Sequence, residues 1–153
     1  MAGTSANEQL FDHLVRSETR LYNAVGERLK AEHGIVASQF EFLRYLERHP
    51  QSRVADLAMN FAIGIGATSK GIDRLEARGW VRRVRNPDDR RSSLVELTPP
   101  GRHLAAAAGE TFRTELETLV GSVLGEDQTE VVIAALAALR GALEERNAGL
   151  PAG

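Results

Sequence analysis

Apolar residues recur at helical spacing over most of the chain, and the places where that rhythm fails divide it into elements. Leu10, Leu14, Leu21, Val25 and Leu29, with Phe11, Val15 and Tyr22 beside them, predict a long first helix ending near Gly34. Ser38-Gln39-Phe40-Glu41 has the spacing of a capping box and opens a second helix through Phe42, Leu43 and Leu46, which Pro50 ends. Ser52 is placed to cap a short third helix with Val54, Leu57, Ala58 and Phe61 on one side, and the stretch AIGIGA breaks it. Ile72 and Leu75 carry a fourth helix, roughly Gly64 to Arg78, until Gly79.

The rhythm then changes from helical to alternating. Trp80 to Arg85 and Ser93 to Leu97 both have strand character, and Asn86-Pro87 starts a turn between them, so a β-hairpin with Asp88, Asp89, Arg90 and Arg91 at its tip is expected. Thr98 followed by Pro99 is a helix start, because threonine caps free amides and proline is tolerated in the first turn. An alanine-rich helix should run to about residue 122. Gly125 interrupts it, Asp127-Gln128-Thr129-Glu130 has capping-box form, and Val131, Val132, Ala135, Leu136, Leu139 and Leu143 stripe a last helix before a tail, NAGLPAG, that is expected to fray.

The 153 residues, 42% of them hydrophobic, suffice for one core. No apolar run has the length of a membrane span, and the start MAGTSANEQLFDHL lacks the order of a signal peptide, so a cytoplasmic protein without membrane contact is expected. The absence of cysteine removes disulfides, thiol catalysis and thiolate-bound zinc. His13, His33, His49 and His103 are far apart, and GIGATSK lacks the spacing and preceding strand of a phosphate loop. Nothing in the chain forms a catalytic constellation, and no cofactor or metal is implied.

The formal net charge of −2 conceals an asymmetry. Residues 53–102 hold ten Lys and Arg against six Asp and Glu, a balance of +4, while the rest of the chain stands at −6. A basic centre between acidic flanks fits a nucleic-acid-binding segment on a soluble frame. Helix, tight turn, helix and hairpin is the order of a winged helix-turn-helix. The first helix and the last two carry more apolar surface than such a small lobe can cover, which calls for a second copy of the chain.

The segments VADLAMNF, IDRLEARGWVRRV and NPDDRRSSLVELTPPGRHL, from about residue 38 to 105, resemble the MarR family of transcriptional regulators. Most specific is Asp89-x-Arg91 followed by Leu97-Thr98-x-x-Gly101, which is similar to that family's wing signature. The resemblance implies a mainly α fold with a small β-hairpin. Residues 38–98 would form a winged helix-turn-helix lobe, 1–37 and 99–147 helical dimerisation arms, and 148–153 a flexible tail. It also implies a homodimer that binds pseudo-palindromic double-stranded DNA, commonly as a repressor released by a small aromatic or phenolic effector. A DNA-binding architectural or constitutive factor without effector is the alternative.

In such a lobe the second helix of the motif enters the major groove, so Thr68, Ser69, Lys70 and Arg74 are the expected contacts. Arg90 and Arg91 would reach the minor groove; Arg91 matches the family's groove-reading arginine, and Asp89 would orient it by a charge-assisted bond. Arg82, Arg83 and Arg85 read as phosphate contacts or scaffold. An effector pocket, placed by the resemblance between the first, second and fifth helices and the reading head, would draw on His13, Arg16, Arg20, Phe42 and Tyr45. The chain departs from the family pattern in having Gly64 and Gly66 where a serine or threonine usually caps the recognition helix, and Gly71 inside it. A loose helix, with amides from Gly64 to Ala67 open to a phosphate, is the expectation.

Overall fold

A computed structural model describes residues 3–152. The elements run α1 (Ala6–His33), α2 (Ala37–Arg48), β1 (Ser52–Arg53), α3 (Val54–Phe61), α4 (Ile65–Ala77), β2 (Val81–Arg85), β3 (Ser93–Leu97), α5 (Pro99–Leu116) and α6 (Glu126–Glu145). A π-helical turn, Glu117–Gly121, extends α5, and the strands form an antiparallel sheet in the order β1-β3-β2. The two long strands pair Val81 with Leu97 and Val84 with Leu94, so Val81, Val95 and Leu97 turn inward together. Among the described residues no helix is long and apolar enough to cross a membrane.

Three helix starts are shifted from the expected caps, each time because a different side chain reaches the first free amide. At α2 the Gln39 side chain accepts from the Val36 amide at 3.1 Å, so the helix opens before Ser38. At α3 the Asp56 carboxylate accepts from the Arg53 amide at 2.9 Å. Ser52 instead joins β1 opposite Val95 and donates to the His49 carbonyl at 2.6 Å. At α6 Gln128 serves the Gly125 amide, rather than a box from Asp127 to Glu130. Stops follow turn chemistry. Gly34 and Gly79 sit in the left-handed region at φ 69° and 77°, where an amide turns back on the last carbonyls.

Two apolar clusters meet at one seam. The first joins Phe42, Leu43, Leu46, Leu57, Ile72, Leu75, Val81, Val95, Leu97 and Ala105, and so ties α2, α3, α4, the sheet and the start of α5 into a lobe. The second joins Val25, Leu29, Ile35, Phe40 and Ala108 across α1, α2 and α5. Trp80 and Leu104 pack against both. At this seam Thr98 accepts from the Gly101 amide at 3.1 Å and donates to the Gly79 carbonyl at 2.6 Å, while its own amide donates to the Trp80 carbonyl at 3.0 Å.

Away from the seam the long helices are bare. The buried residues of α1 are Val25 and Leu29, both in its second half; α6 buries none. Leu10, Phe11 and Tyr22 on α1 and Val131, Ile133, Leu139 and Leu143 on α6 are exposed. The tail expected to fray turns back through Asn147 and Gly149, with the Ala148 amide on the Leu143 carbonyl, and Leu150 is half-buried; residue 153 lies outside the described residues.

Candidate nucleic-acid interface

The second helix of the motif presents three stripes, each set by the three- and four-residue spacing of a helix. Thr68, Ile72 and Leu75 form the inner one and are each at 0% exposure. This corrects one expected DNA contact. Thr68 lies on the core stripe, its hydroxyl donates to the Gly64 carbonyl at 2.8 Å, and its methyl is closed to a groove. The spacing to Ile72 and Leu75 was the sequence signal that could have revealed it.

Ser69, Asp73 and Glu76 make the second stripe, facing β2. There the Arg83 guanidinium is ion-paired with Asp73 at 2.8 Å and donates to the Glu76 carboxylate at 3.0 Å, and one of its nitrogens lies 3.4 Å from the Ser69 carbonyl. Ser69 is thus half-buried against the scaffold. Lys70 and Arg74 form the third stripe and are exposed. The two remain available for a groove or a phosphate.

The glycines of this helix do different things. A Cβ at Gly66 would meet nothing within 4 Å, whereas one at Gly71 would come within 2.8 Å of the Phe42 ring. Gly71 is therefore a contact surface for Phe42, which is held from behind by Phe61 at 5.3 Å between ring centroids. Gly66→Ala should raise stability by about 0.5–1 kcal/mol through helix propensity. Gly71→Ala should lower it by about 1 kcal/mol because a buried ring must move. Thermal melts of the two variants that shifted in the same direction would contradict this assignment. Gly64 caps the helix with no side-chain bond.

The hairpin tip is built from side chains accepting backbone amides. Buried Asn86 accepts from the Asp88 amide at 3.0 Å and donates to the Ser92 hydroxyl at 3.1 Å. Asp89 accepts from the Arg91 amide at 2.9 Å. The expected charge-assisted bond from Asp89 to the Arg91 side chain does not form; the aspartate bonds the backbone amide of Arg91 instead. The Arg91 guanidinium itself is exposed and not ion-paired among the described residues.

Pairing separates the arginines of this region into two groups. Arg82 bonds Glu96 at 2.6 Å, Arg83 is held as described, and Arg53 bonds Asp56 at 2.8 Å. The Gln51 amide and the Arg82 guanidinium hold the Glu96 carboxyl below the usual range, and the Arg53 guanidinium does the same for Asp56. By contrast, Lys70, Arg74, Arg85, Arg90 and Arg91 are exposed and lack a carboxylate partner among the described residues. Sequence patterning ranked Arg82, Arg83 and Arg85 together; only their cross-strand and cross-helix partners single out Arg85 as the free cation of the three.

The five residues expected to wall an effector pocket do not share one in the single chain. His13, Arg16 and Arg20 are exposed on the stretch of α1 before Val25, the first of its residues to be buried. Arg16 and Arg20 line a shallow groove with Val15, Thr19 and Asn23. Phe42 is consumed by the core, and Tyr45 stands in a cleft of about 590 Å³ where α2 and α3 face the end of α6. A smaller cleft, about 210 Å³, does lie between α1, α2 and α5, lined by Tyr22, Val25, Phe40, Glu41, Arg44 and Phe112 among others. Arg44 stacks there over Phe112 at 4.6 Å from its centroid, and burial together with Glu41 and Glu18 pushes the Tyr22 phenol up.

Comparison with known proteins gives a consistent picture. A sequence profile of the MarR family matches residues 35–93. The HTH-type transcriptional repressor NicR of Pseudomonas putida is 32% identical over 78% of this chain and 76% of its own length. The multiple antibiotic resistance protein MarR of Salmonella typhimurium is 36% identical over 67 residues, 44% of this chain; the chain spans about half, 46%, of that relative. A MarR family transcriptional regulator from Streptomyces coelicolor, solved in complex with DNA, superposes with a TM-score of 0.85 over 99% of this chain and 96% of that one, at 24% identity. At that identity the likeness is one of fold.

Proposed function

We propose, given that this chain belongs to the MarR family of transcriptional regulators, which are not enzymes, that it is a cytoplasmic homodimeric repressor of pseudo-palindromic operators. The observation that carries this reading is the division of the cations. Those that hold the lobe together are neutralised, while Lys70 and Arg74 on α4 and Arg85, Arg90 and Arg91 on the wing keep their charge and exposure. In this reading α4 lies in the major groove with Lys70 and Arg74 toward bases or phosphates, and the wing arginines follow the minor groove. The uncapped amides after Gly64 would add a phosphate contact at the helix start.

The bare apolar faces of α1 and α6 support a second copy as their cover. Release by a small aromatic effector belongs to the same proposal, and the cleft beside Tyr22, Arg44 and Phe112 has room for a single-ring molecule. An effector there would favour a separation of the two lobes that no longer matches major grooves about 34–36 Å apart. The scatter of His13, Arg16, Arg20, Phe42 and Tyr45 favours the rival reading, a DNA binder without effector.

Selection of bound duplexes from a random pool at about 0.15 M salt, where phosphate contacts alone are weakened, should recover a two-fold-symmetric motif with half-sites roughly ten base pairs apart. Recovery of no motif would contradict the sequence-reading role. With that duplex as probe, a panel of aromatic acids and phenols that left affinity unchanged throughout would favour the effector-free alternative.

A further inference from the structure

We infer that Arg83 is a positioning residue that fixes the rotation of α4 about its own axis, and so decides which side chains the recognition helix presents. The inference rests on the DNA-reading role proposed above. It starts from a spacing: Ser69, Asp73 and Glu76 stand at intervals of four and three, on one line down the helix, and a single guanidinium touches all three. The Arg83 backbone joins in, its amide donating to the Glu76 carboxylate at 3.1 Å. Two carboxylates and a carbonyl therefore grip one planar donor group on a strand that the sheet already immobilises.

Lys70 and Arg74 follow Ser69 and Asp73 by one residue each, about 100° around the helix from the gripped line. Thr68, Ile72 and Leu75, all fully buried, choose which face of the helix turns inward, and the contacts with Arg83 fix the angle that remains on the outer side. The guanidinium is rigid and forked, and its hydrogen bonds to Glu76 and to the Ser69 carbonyl are directional, so it sets an azimuth where a lysine ammonium would set only a distance. Arg83 is also unsuited to hold a phosphate itself. It is 24% exposed, and with Asp73 and Glu76 the cluster carries one net negative charge. The residues that flank the DNA-facing stripe are thus acidic for a structural reason, although acids near DNA would otherwise weaken binding.

The test uses the full chain with Arg83→Gln, Arg83→Lys, Asp73→Asn and the double variant Arg83→Gln/Asp73→Asn, measured against the wild-type selected duplex and a scrambled one across a salt series. Arg83→Gln should weaken binding to the selected duplex about tenfold, the scale of one lost base contact, with scrambled DNA little affected and the salt slope unchanged. Arg83→Lys should recover only part of the loss, Asp73→Asn should move the same way as Arg83→Gln, and the double variant should be no worse than the single ones.

Equal losses on both duplexes with a salt slope shallower by about 0.9 would make Arg83 a phosphate contact and overturn the inference. Tighter binding by Asp73→Asn would overturn it too, since the carboxylate would then be a mere repulsive neighbour. If Arg83→Gln does not fold, Arg83→Lys and Asp73→Asn carry the test. If the wild type selects no motif, the DNA-reading role falls on its own, and hydrogen exchange of the α4 amides in free protein decides the lock: faster exchange in Arg83→Gln supports it, unchanged exchange refutes it.

Discussion

Gly101→Ala should destabilise the protein by about 3 kcal/mol or more and lower the melting temperature by roughly 10 °C, making it the most damaging single methyl that can be added to the seam. A Cβ at this position would lie 1.8 Å from the Trp80 carbonyl oxygen and 2.8 Å from its carbon. The obstacle is backbone, so no rotamer change relieves it. Nor can the helix retreat, because Thr98 ties the start of α5 to Gly79 and Trp80 through two bonds and holds the Gly101 amide itself through a third. Trp80 packs against both apolar clusters, and any shift of its backbone is felt in each. Differential scanning calorimetry decides the matter; a variant melting within about 2 °C of wild type would show that the seam yields and that the close approach is not a constraint.

Arg91→Ala should weaken binding to the selected operator by about 10- to 100-fold, erase the preference for A·T pairs in the flank beneath the wing, and reduce the salt slope by about one contact. The turn that carries Arg91 is closed by Asn86 and by the Asp89 bond to the Arg91 amide, so its backbone is ordered before binding and only the side chain remains to be fixed. Arg82→Ala is the internal control. That side chain is spent on Glu96, and its removal should leave both affinity and flank preference close to wild type. Titration of each variant against duplexes with A·T and G·C flanks separates the two. An Arg91→Ala protein that kept its affinity and its flank preference would refute the account of the wing.

How the chain divides into elements was open to reading because each division is written in neighbours. The α1 stripe and its stop at Gly34, the turn at Asn86-Pro87 and the Thr98 cap are all settled within a few residues. Where capping went astray, at Val36, Arg53 and Gly125, the competitor was again local. A glutamine or aspartate three residues on reached the amide first, and several candidate side chains for one donor leave the boundary uncertain by a residue or two.

The candidate interface was legible as a set of residue types and only partly as a set of directions. Lys70, Arg74, Arg90 and Arg91 are exposed, as the proposed reading surface requires, and charge asymmetry along the chain pointed to the region. Thr68 turned inward because helix rotation follows from what α2 and the sheet offer to pack against, which no local window contains. The same holds for Gly71, which yields its missing Cβ to the Phe42 ring from another helix, and for Arg83, whose acids lie seven and ten residues away on a different element. The pocket residues scattered for the opposite reason: Phe42 and Tyr45 meet at Phe61 in the lobe, while His13, Arg16 and Arg20 stand on a part of α1 that the lobe does not reach. The sequence by itself determined the order of elements, the hairpin tip and the basic character of the lobe, since periodicity, turn chemistry and charge act over one or two turns of chain. Which arginines remain free, which way the recognition helix faces and where a backbone leaves room for no side chain at all were decided only by tertiary structure, because each depends on partners distant in the chain that packing alone brings together.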